Sequence, residues 1–374
     1  MKAVVLAGGY GTRLRPLTCT RPKMLFPIAN MPLLDWTLKK LAKNKVTKTI
    51  LAVNYMTDVF IKHYGEKAYG MQIAYSRDLD PDHKTLAGFQ KLGTGGSIKK
   101  AEKLIGHEEP FLVLNGDILT NINYAEFMKK HETSGATAAI ALHEVEDPSR
   151  YGVVELTNED RIVQFVEKPP LDEAPSNLIN AGIYAFNPKI FDYIPEGRQV
   201  SIEHEIFPKF AEEGKLRGYT FQGYWTDIGK PSDYLKANRL LLDMEIKKGK
   251  LGKNAALESE TEIQKPCIIG ENVTIKSKSK IGPYAAIGDN VIIGKGALIE
   301  NSIIFPHTVI SDFTSIKGTI IGEASMIGSS VTIESGCIIG DHAMIRDNVT
   351  LTQGVSVCPS KEVKESVLTP KCLM

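Results

Sequence analysis

Isoleucine recurs every sixth residue in the C-terminal third of this 374-residue chain. It stands at Ile263, Ile269, Ile275, Ile281, Ile287, Ile293 and Ile299. The phase then slips by one residue, and Ile304, Ile310 and Ile316 follow. It slips again before Ile321, Ile327, Ile333, Ile339, Ile345, Leu351 and Val357. Small or β-branched residues such as Val273, Ala285, Val291 and Ala343 occupy a second position of the repeat, and glycine often follows the isoleucine. An α-helix cannot keep a period of six on one face. A parallel β-helix can, with one short strand per repeat and the aliphatic side chain turned inward.

The repeat resembles the left-handed hexapeptide β-helices, in which three repeats make one triangular coil. About five coils are expected over the strongest part of the pattern.

The first part of the chain follows a different rhythm. Lys2–Leu6 is a short apolar run that ends in Gly8 and Gly9. Leu34, Leu38 and Leu41 fall at helical spacing, Thr49–Val53 is short and apolar again, and Phe111–Leu114 runs into Asn-Gly-Asp. Strand, helix and strand in alternation predict an α/β domain with a Rossmann-like, mostly parallel mixed sheet. Such sheets bind ligands at the carboxyl ends of their strands, which directs attention to Gly8–Arg13, Asn54 and Asn115–Asp117. The expected organisation is a catalytic α/β domain over 1–245, a linker over 246–262, and a β-helix with a short tail over 263–374.

Composition excludes several classes. Lys and Arg total 45 against 44 Asp and Glu, a net charge of +1 that argues against a nucleic-acid binder. No apolar run approaches the ~20 residues of a membrane span. The N-terminus has no signal-peptide pattern. Five cysteines without a CxxC pair fit a reducing compartment, so a cytoplasmic location is expected.

The segment Leu6-Ala7-Gly8-Gly9-Tyr10-Gly11-Thr12-Arg13-Leu14-Arg15-Pro16-Leu17-Thr18 carries the chemistry. Glycines let backbone N–H groups approach an anion closely, Arg13 adds a fork of donors, and Lys23 follows between Pro22 and Met24. The loop lacks the Walker A spacing, and it lacks the glycine spacing of a dinucleotide fingerprint. A glycine-rich turn with surface basic residues is the alternative reading. Asp117 and Asp227 are the outstanding carboxylates, although an Asp after a strand also serves as a turn former or cap.

GG-x-GTRL-x-PLT followed by PK resembles the signature of the sugar-phosphate nucleotidyltransferases. Further elements follow in that family's order: Leu92–Gly96, Asn115–Asp117, Tyr151–Val154, Glu167–Pro169, Asn180–Gly182 and Trp225–Gly229. The resemblance implies transfer of a nucleotidyl group from a nucleoside triphosphate to a sugar 1-phosphate, with release of pyrophosphate. It implies that Leu6, Ala7, Gly8, Gly9, Gly11, Thr12, Arg13, Lys23, Gly93 and Thr94 hold the nucleotide. Gly152, Glu167, Lys168, Asn180 and Gly182 would face the sugar phosphate. Arg13 and Lys23 would stabilise developing charge, and Asp117 and Asp227 would carry Mg2+.

The tail from Ser356 to Pro359 and from Glu365 to Met374, with Ser201-Ile202-Glu203, resembles the mannose-1-phosphate guanylyltransferases. This implies GTP and mannose 1-phosphate. The alternatives are a glucose-1-phosphate thymidylyl- or uridylyltransferase and a non-catalytic regulatory subunit. Some relatives acetylate sugars on such a β-helix, which would call on His307 or His342, yet a His on a coil corner is ordinary surface. The β-helix is instead expected to assemble a homo-oligomer.

Overall fold

The computed structural model describes residues 1–54, 56–77, 92–247 and 249–374. The chain divides into two compact units. One comprises Met1–Gly9 and Leu34–Thr226, and the other comprises Tyr10–Leu33 and Asp227–Met374.

The first unit is built on a ten-stranded sheet. Its strands are β1 (Lys2–Leu6), β2 (Lys48–Val53), β3 (Lys67–Ala68), β4 (Met71–Arg77) and β5 (Phe111–Asn115). They continue with β6 (Ala138–Glu144), β7 (Gly152–Leu156), β8 (Ile162–Glu167), β9 (Leu178–Phe186) and β10 (Leu216–Thr220). The path across the sheet is β8-β7-β9-β5-β1-β2-β4-β3, while β6 pairs with both β9 and β10. Strands β5, β1, β2 and β4 are mutually parallel. Strands β5, β1 and β2 are buried and apolar almost throughout, as central parallel strands are, whereas β4 nearer the edge alternates, with Gln72 and Arg77 exposed. Beyond β5 the sheet turns antiparallel through β9, β7 and β8. The sheet is therefore mixed and Rossmann-like.

Helix α1 (Leu33–Lys43) buries Leu34, Leu38 and Leu41, the three residues whose spacing predicted it. Helices α2 (Thr57–Tyr64), α3 (Gly93–Lys100), α4 (Glu102–Ile105), α5 (Tyr124–Ser134) and α6 (Phe207–Glu212) complete the unit. No described helix is long and apolar enough to cross a membrane.

The second unit is a parallel β-helix. Two-residue and three-residue strands form three parallel ladders of eight, seven and six members. Partner residues lie one coil apart: Ile269 pairs with Ile287, and Ile287 pairs with Ile304. The first step is three hexads and the second is one residue shorter. The first phase slip is thus a coil that lost one residue at the turn before Ile304. The isoleucines stack as a single buried core with Val273, Ala285, Val291 and Ala343. Corners are turned in the left-handed region at six-residue intervals, at Asn272, Lys278, Tyr284 and Asn290. His307 and His342 occupy such corners and are exposed.

The ladders reach beyond the repeat that reveals them, starting at Lys250–Leu251 and ending at Cys372–Leu373. They begin within the stretch read as a linker. The outermost coils replace isoleucine with Leu251, Leu257, Val363 and Leu373, so the hexad signal fades while the geometry continues. Helix α7 (Pro231–Glu245) precedes the first coil. All five cysteines are free thiols.

His131 on α5 is 3% exposed, and its Nδ1 has no partner. Burial lowers its pKa to about 4. The imidazole is neutral in the folded chain and protonates more readily once unfolded. Stability should therefore be complete above pH 6.5 and fall as pH drops toward 4, by roughly 3 kcal/mol from this residue. In thermal melts between pH 4 and 7, His131→Leu should show a shallower acid loss than the parent chain.

Candidate active site

In the first unit, three parallel strands end side by side. Leu6, the last residue of β1, is in register with Ala52 of β2 and Asn115 of β5. Ala7 N–H donates to Ala52 O at 2.8 Å, and Gly116 N–H donates to Leu6 O at 2.9 Å. Gly8, Gly9 and Asp117 therefore leave the sheet from neighbouring points at its carboxyl edge, where α/β sheets bind ligands. A Cβ added at Gly9 would meet nothing within 4 Å. The missing side chain relieves no internal clash; it leaves room for something to approach the backbone.

A second group lies around β7, β8 and β9. Gly152 and Glu167 are cross-strand partners. A Cβ at Gly152 would stand 2.8 Å from Glu167 Oε2 and 2.6 Å from Phe165 Cζ, so glycine makes space for the carboxylate. Lys168 Nζ lies 2.9 Å from Glu167 Oε1, and its side chain is largely exposed. Asn180 Oδ1 accepts from Gly182 N–H at 2.8 Å, and Asn180 Nδ2 donates to the Tyr184 hydroxyl at 3.0 Å. Gly182 takes φ +68°, and a Cβ there would stand 2.6 Å from Asn115 Nδ2. Trp225 Nε1 donates to Ala181 O at 2.9 Å, which gives the Trp-Thr-Asp motif a structural duty beside the Asn-Ala-Gly turn.

Gly93 opens α3 at φ +69°, with Val200 O only 2.4 Å from where a Cβ would sit. Thr94 Oγ1 donates to Glu203 Oε2 at 2.6 Å and accepts from Ile202 N–H at 3.1 Å. Ser201 Oγ donates to the same Glu203 oxygen at 2.7 Å. Tyr184 joins the two groups. It is fully buried, and burial, followed by the charge of Glu203, pushes its phenol well above its usual pKa, so it remains a neutral hydrogen-bonding group. Sequence reasoning assigned no site role to Tyr184 or Glu203. Tyr184 reads as an ordinary core aromatic, and Glu203 stands out only within the Ser201-Ile202-Glu203 resemblance.

The second unit holds Gly11, Thr12, Arg13, Lys23 and Asp227. Gly11 adopts φ +60° and its carbonyl accepts from Thr18 Oγ1 at 3.0 Å, which folds the loop back on itself. Thr12–Leu14 forms a 3-10 turn carrying Arg13, and Lys23 begins another with its side chain largely buried. Arg13 and Asp227 meet around Gly229. A Cβ placed there would be 3.0 Å from Asp227 Oδ2, 3.3 Å from Asp233 Oδ2 and 3.4 Å from Arg13 Nη1. Asp233, in the first turn of α7, is a further acid that sequence reading passed over, because an acid near a helix start is unremarkable.

No described cluster of three His, Cys, Asp or Glu residues forms a ready metal cage. The acids at hand offer carboxylate oxygens, which suit a hard divalent ion that draws its other ligands from phosphates and water.

Comparison with known proteins bears on both units. A nucleotidyl transferase family model matches residues 2–244, and a GMPPB C-terminal domain model matches residues 246–373. The chain belongs to the nucleotidyltransferase family. It is 36% identical over 394 residues to a probable mannose-1-phosphate guanylyltransferase 2 of Oryza sativa subsp. japonica, covering all of both chains. It is 37% identical over 391 residues to a mannose-1-phosphate guanyltransferase of Pichia angusta, again over both full lengths. Among solved structures, a putative glucose-1-phosphate thymidylyltransferase from Bacillus anthracis matches with a TM-score of 0.56 and 27% identity, covering 64% of this chain and 94% of that one. HddC from Yersinia pseudotuberculosis, complexed with GMP-PN, matches with a TM-score of 0.53 and 29% identity, covering 64% and 99%. This nucleotidyltransferase is thus an enzyme of a family that generally works with divalent metal ions.

Gly182→Ala should be costly on geometric grounds. The residue must hold a left-handed backbone, and its new methyl would press on Asn115 and Ile118. A loss of about 2–4 kcal/mol is expected in urea unfolding.

Proposed function

We propose that the protein joins GTP to mannose 1-phosphate, forming GDP-mannose and releasing pyrophosphate. The observation that carries this reading is the likeness, over full length in both directions, to proteins named as mannose-1-phosphate guanylyltransferases. A phosphate oxygen of mannose 1-phosphate attacks the α-phosphorus of GTP in line. The new O–P bond forms as the bond to the β-phosphate oxygen breaks, and pyrophosphate leaves with the electron pair. Both reactants are anions, so alignment and charge neutralisation carry the rate.

The roles follow the family's motifs. Leu6, Ala7, Gly8, Gly9, Gly11 and Thr12 hold the nucleotide, with Gly93 and Thr94 near its base or ribose. Arg13 and Lys23 stabilise charge on the α-phosphate and the leaving pyrophosphate. Gly152, Glu167, Asn180 and Gly182 receive the sugar, with Glu167 accepting from its hydroxyls, and Lys168 meets its phosphate. Asp117 and Asp227 would hold Mg2+, which supplies counter-charge to the triphosphate. These catalytic roles fall within residues 1–245. The β-helix serves as an assembly module for a homo-oligomer in the cytoplasm.

Arg13→Ala and Asp117→Ala should keep their far-UV circular dichroism spectra. Their rates of pyrophosphate release should fall by at least about 10²–10³-fold. Near-normal turnover in either would remove its assigned role. Chelation with EDTA should stop the reaction, and added Mg2+ should restore it.

The choice of substrates rests on a few hydrogen bonds to the base and sugar. It is tested by a matrix of GTP, UTP, dTTP and ATP against mannose, glucose and N-acetylglucosamine 1-phosphates. GTP with mannose 1-phosphate should give the highest kcat/KM. A preference for dTTP or UTP with glucose 1-phosphate would replace this reading by a thymidylyl- or uridylyltransferase. No pyrophosphate from any pair would point to a regulatory subunit.

A further inference from the structure

In the second unit, the residues between Arg13 and Lys23 are gripped by the β-helix. Arg21 Nη2 donates to Asp341 Oδ2 at 2.7 Å and to Glu323 Oε2 at 2.6 Å. Thr20 Oγ1 donates to the same Asp341 oxygen at 2.6 Å. The Arg21 guanidinium lies over the buried Phe305 ring, 5.0 Å from its centroid, and Phe26 meets that ring from 6.1 Å. The Asp341 side chain is only 3% exposed and that of Arg21 19%.

Asp341 belongs to a set of aspartates that repeat along the coil. Asp289, Asp312, Asp341 and Asp347 each use Oδ1 to accept a backbone N–H from the preceding coil, at 2.7 to 2.8 Å. That contact is structural and common to all four. Among the hydrogen bonds described, Asp341 is the member whose second oxygen also receives Thr20 and Arg21.

We propose that Asp341, supported by Glu323, is a positioning residue for nucleotidyl transfer: it clasps Thr20 and Arg21 and thereby fixes the loop that carries Arg13 and Lys23. The β-helix is then part of the catalytic apparatus through one carboxylate oxygen. The proposal rests on the reading of that loop as the phosphate-handling element. It also makes a statement about the loop that holds whatever the substrates are.

Asp341→Asn is the informative variant. It keeps an oxygen for the Glu323 N–H while removing the charge that faces Arg21. Asp289→Asn makes the same change on a coil aspartate that contacts no part of the loop in the bonds described. Two readouts are taken on the full chain: kcat and KM for both substrates at rising salt, and hydrogen exchange of residues 11–25. Asp341→Asn should lower kcat by about 10- to 100-fold, as expected when charged groups lose their alignment. Its melting temperature should stay close to that of Asp289→Asn, and exchange in 11–25 should accelerate. Arg21→Met should lower kcat and accelerate exchange in the same way, but with a lower melting temperature, because it leaves Asp341 buried without its cation. Arg21→Lys should recover part of the rate, and the double variant Arg21→Met/Asp341→Asn should be no worse in rate than either single one. Asp289→Asn should match the parent in rate and in exchange.

Unchanged kcat and unchanged exchange in Asp341→Asn would overturn the proposal. So would equal losses in the Asp341 and Asp289 variants, or additive losses in the double variant. If the parent chain releases no pyrophosphate from any substrate pair, the functional reading fails by itself. The exchange of 11–25 then still decides the clasp.

Discussion

The parallel register of β1 between β2 and β5 is the constraint from which the first unit follows. Because Leu6 lies level with Ala52 and Asn115, the chain leaves the sheet at three adjacent points on one edge. A register shift of one residue in β1 would reverse which of its side chains face each side of the sheet, and Ala3, Val4 and Val5 are buried on both sides. The loop after Leu6 and the turn at Asp117 therefore cannot drift independently. A phosphate-binding backbone needs such a frame, since its donors are main-chain N–H groups that no rotamer can re-aim.

The antiparallel half of the sheet meets a different demand. Under the proposed reading it receives a hexose, whose hydroxyls call for several polar side chains at once and a partner for each when no sugar is bound. The network through Thr94, Glu203, Tyr184, Asn180 and Gly182 supplies those partners internally. Glycines at 93, 152 and 182 are required by the crowding around this network, where any Cβ would fall within 3 Å of a neighbour. The polar groups are thus held ready in a site too tight to collapse.

What the sequence made legible follows from the range of each interaction. The isoleucine hexads are a local pattern repeated many times, so the β-helix could be read directly, down to the residue lost before Ile304. Its outer coils could not, because Leu251, Val363 and Leu373 keep the fold through ladder hydrogen bonds and not through the residue that marks the repeat. Arg13, Asp227 and the glycine loop were legible as members of motifs. Tyr184 was not, since one tyrosine in an apolar strand gives no sign that its hydroxyl ends in a polar network. The grip on Arg21 was equally hidden: residues 21, 323 and 341 are joined only by folding.

The same β-helix shows why the Arg21 pair differs from its other ion pairs. Lys280 and Glu262 face each other across a rung at 3.1 Å, yet each side chain is 54% exposed. Water and salt reduce such a pair to about 0–1 kcal/mol, and its loss would leave both ions solvated. Asp341 has no such refuge. Its two oxygens are occupied by one backbone N–H, one hydroxyl and one guanidinium, and almost none of its surface reaches solvent. Desolvation offsets much of the attraction in a pair of this kind, so its net contribution to stability is small. Its selectivity is another matter: any displacement of Thr20 and Arg21 leaves a buried carboxylate short of donors, and that penalty rises steeply with distance. A contact with little net stability and a high cost of misplacement acts as a locator, which is what the role proposed for the loop bearing Arg13 and Lys23 requires.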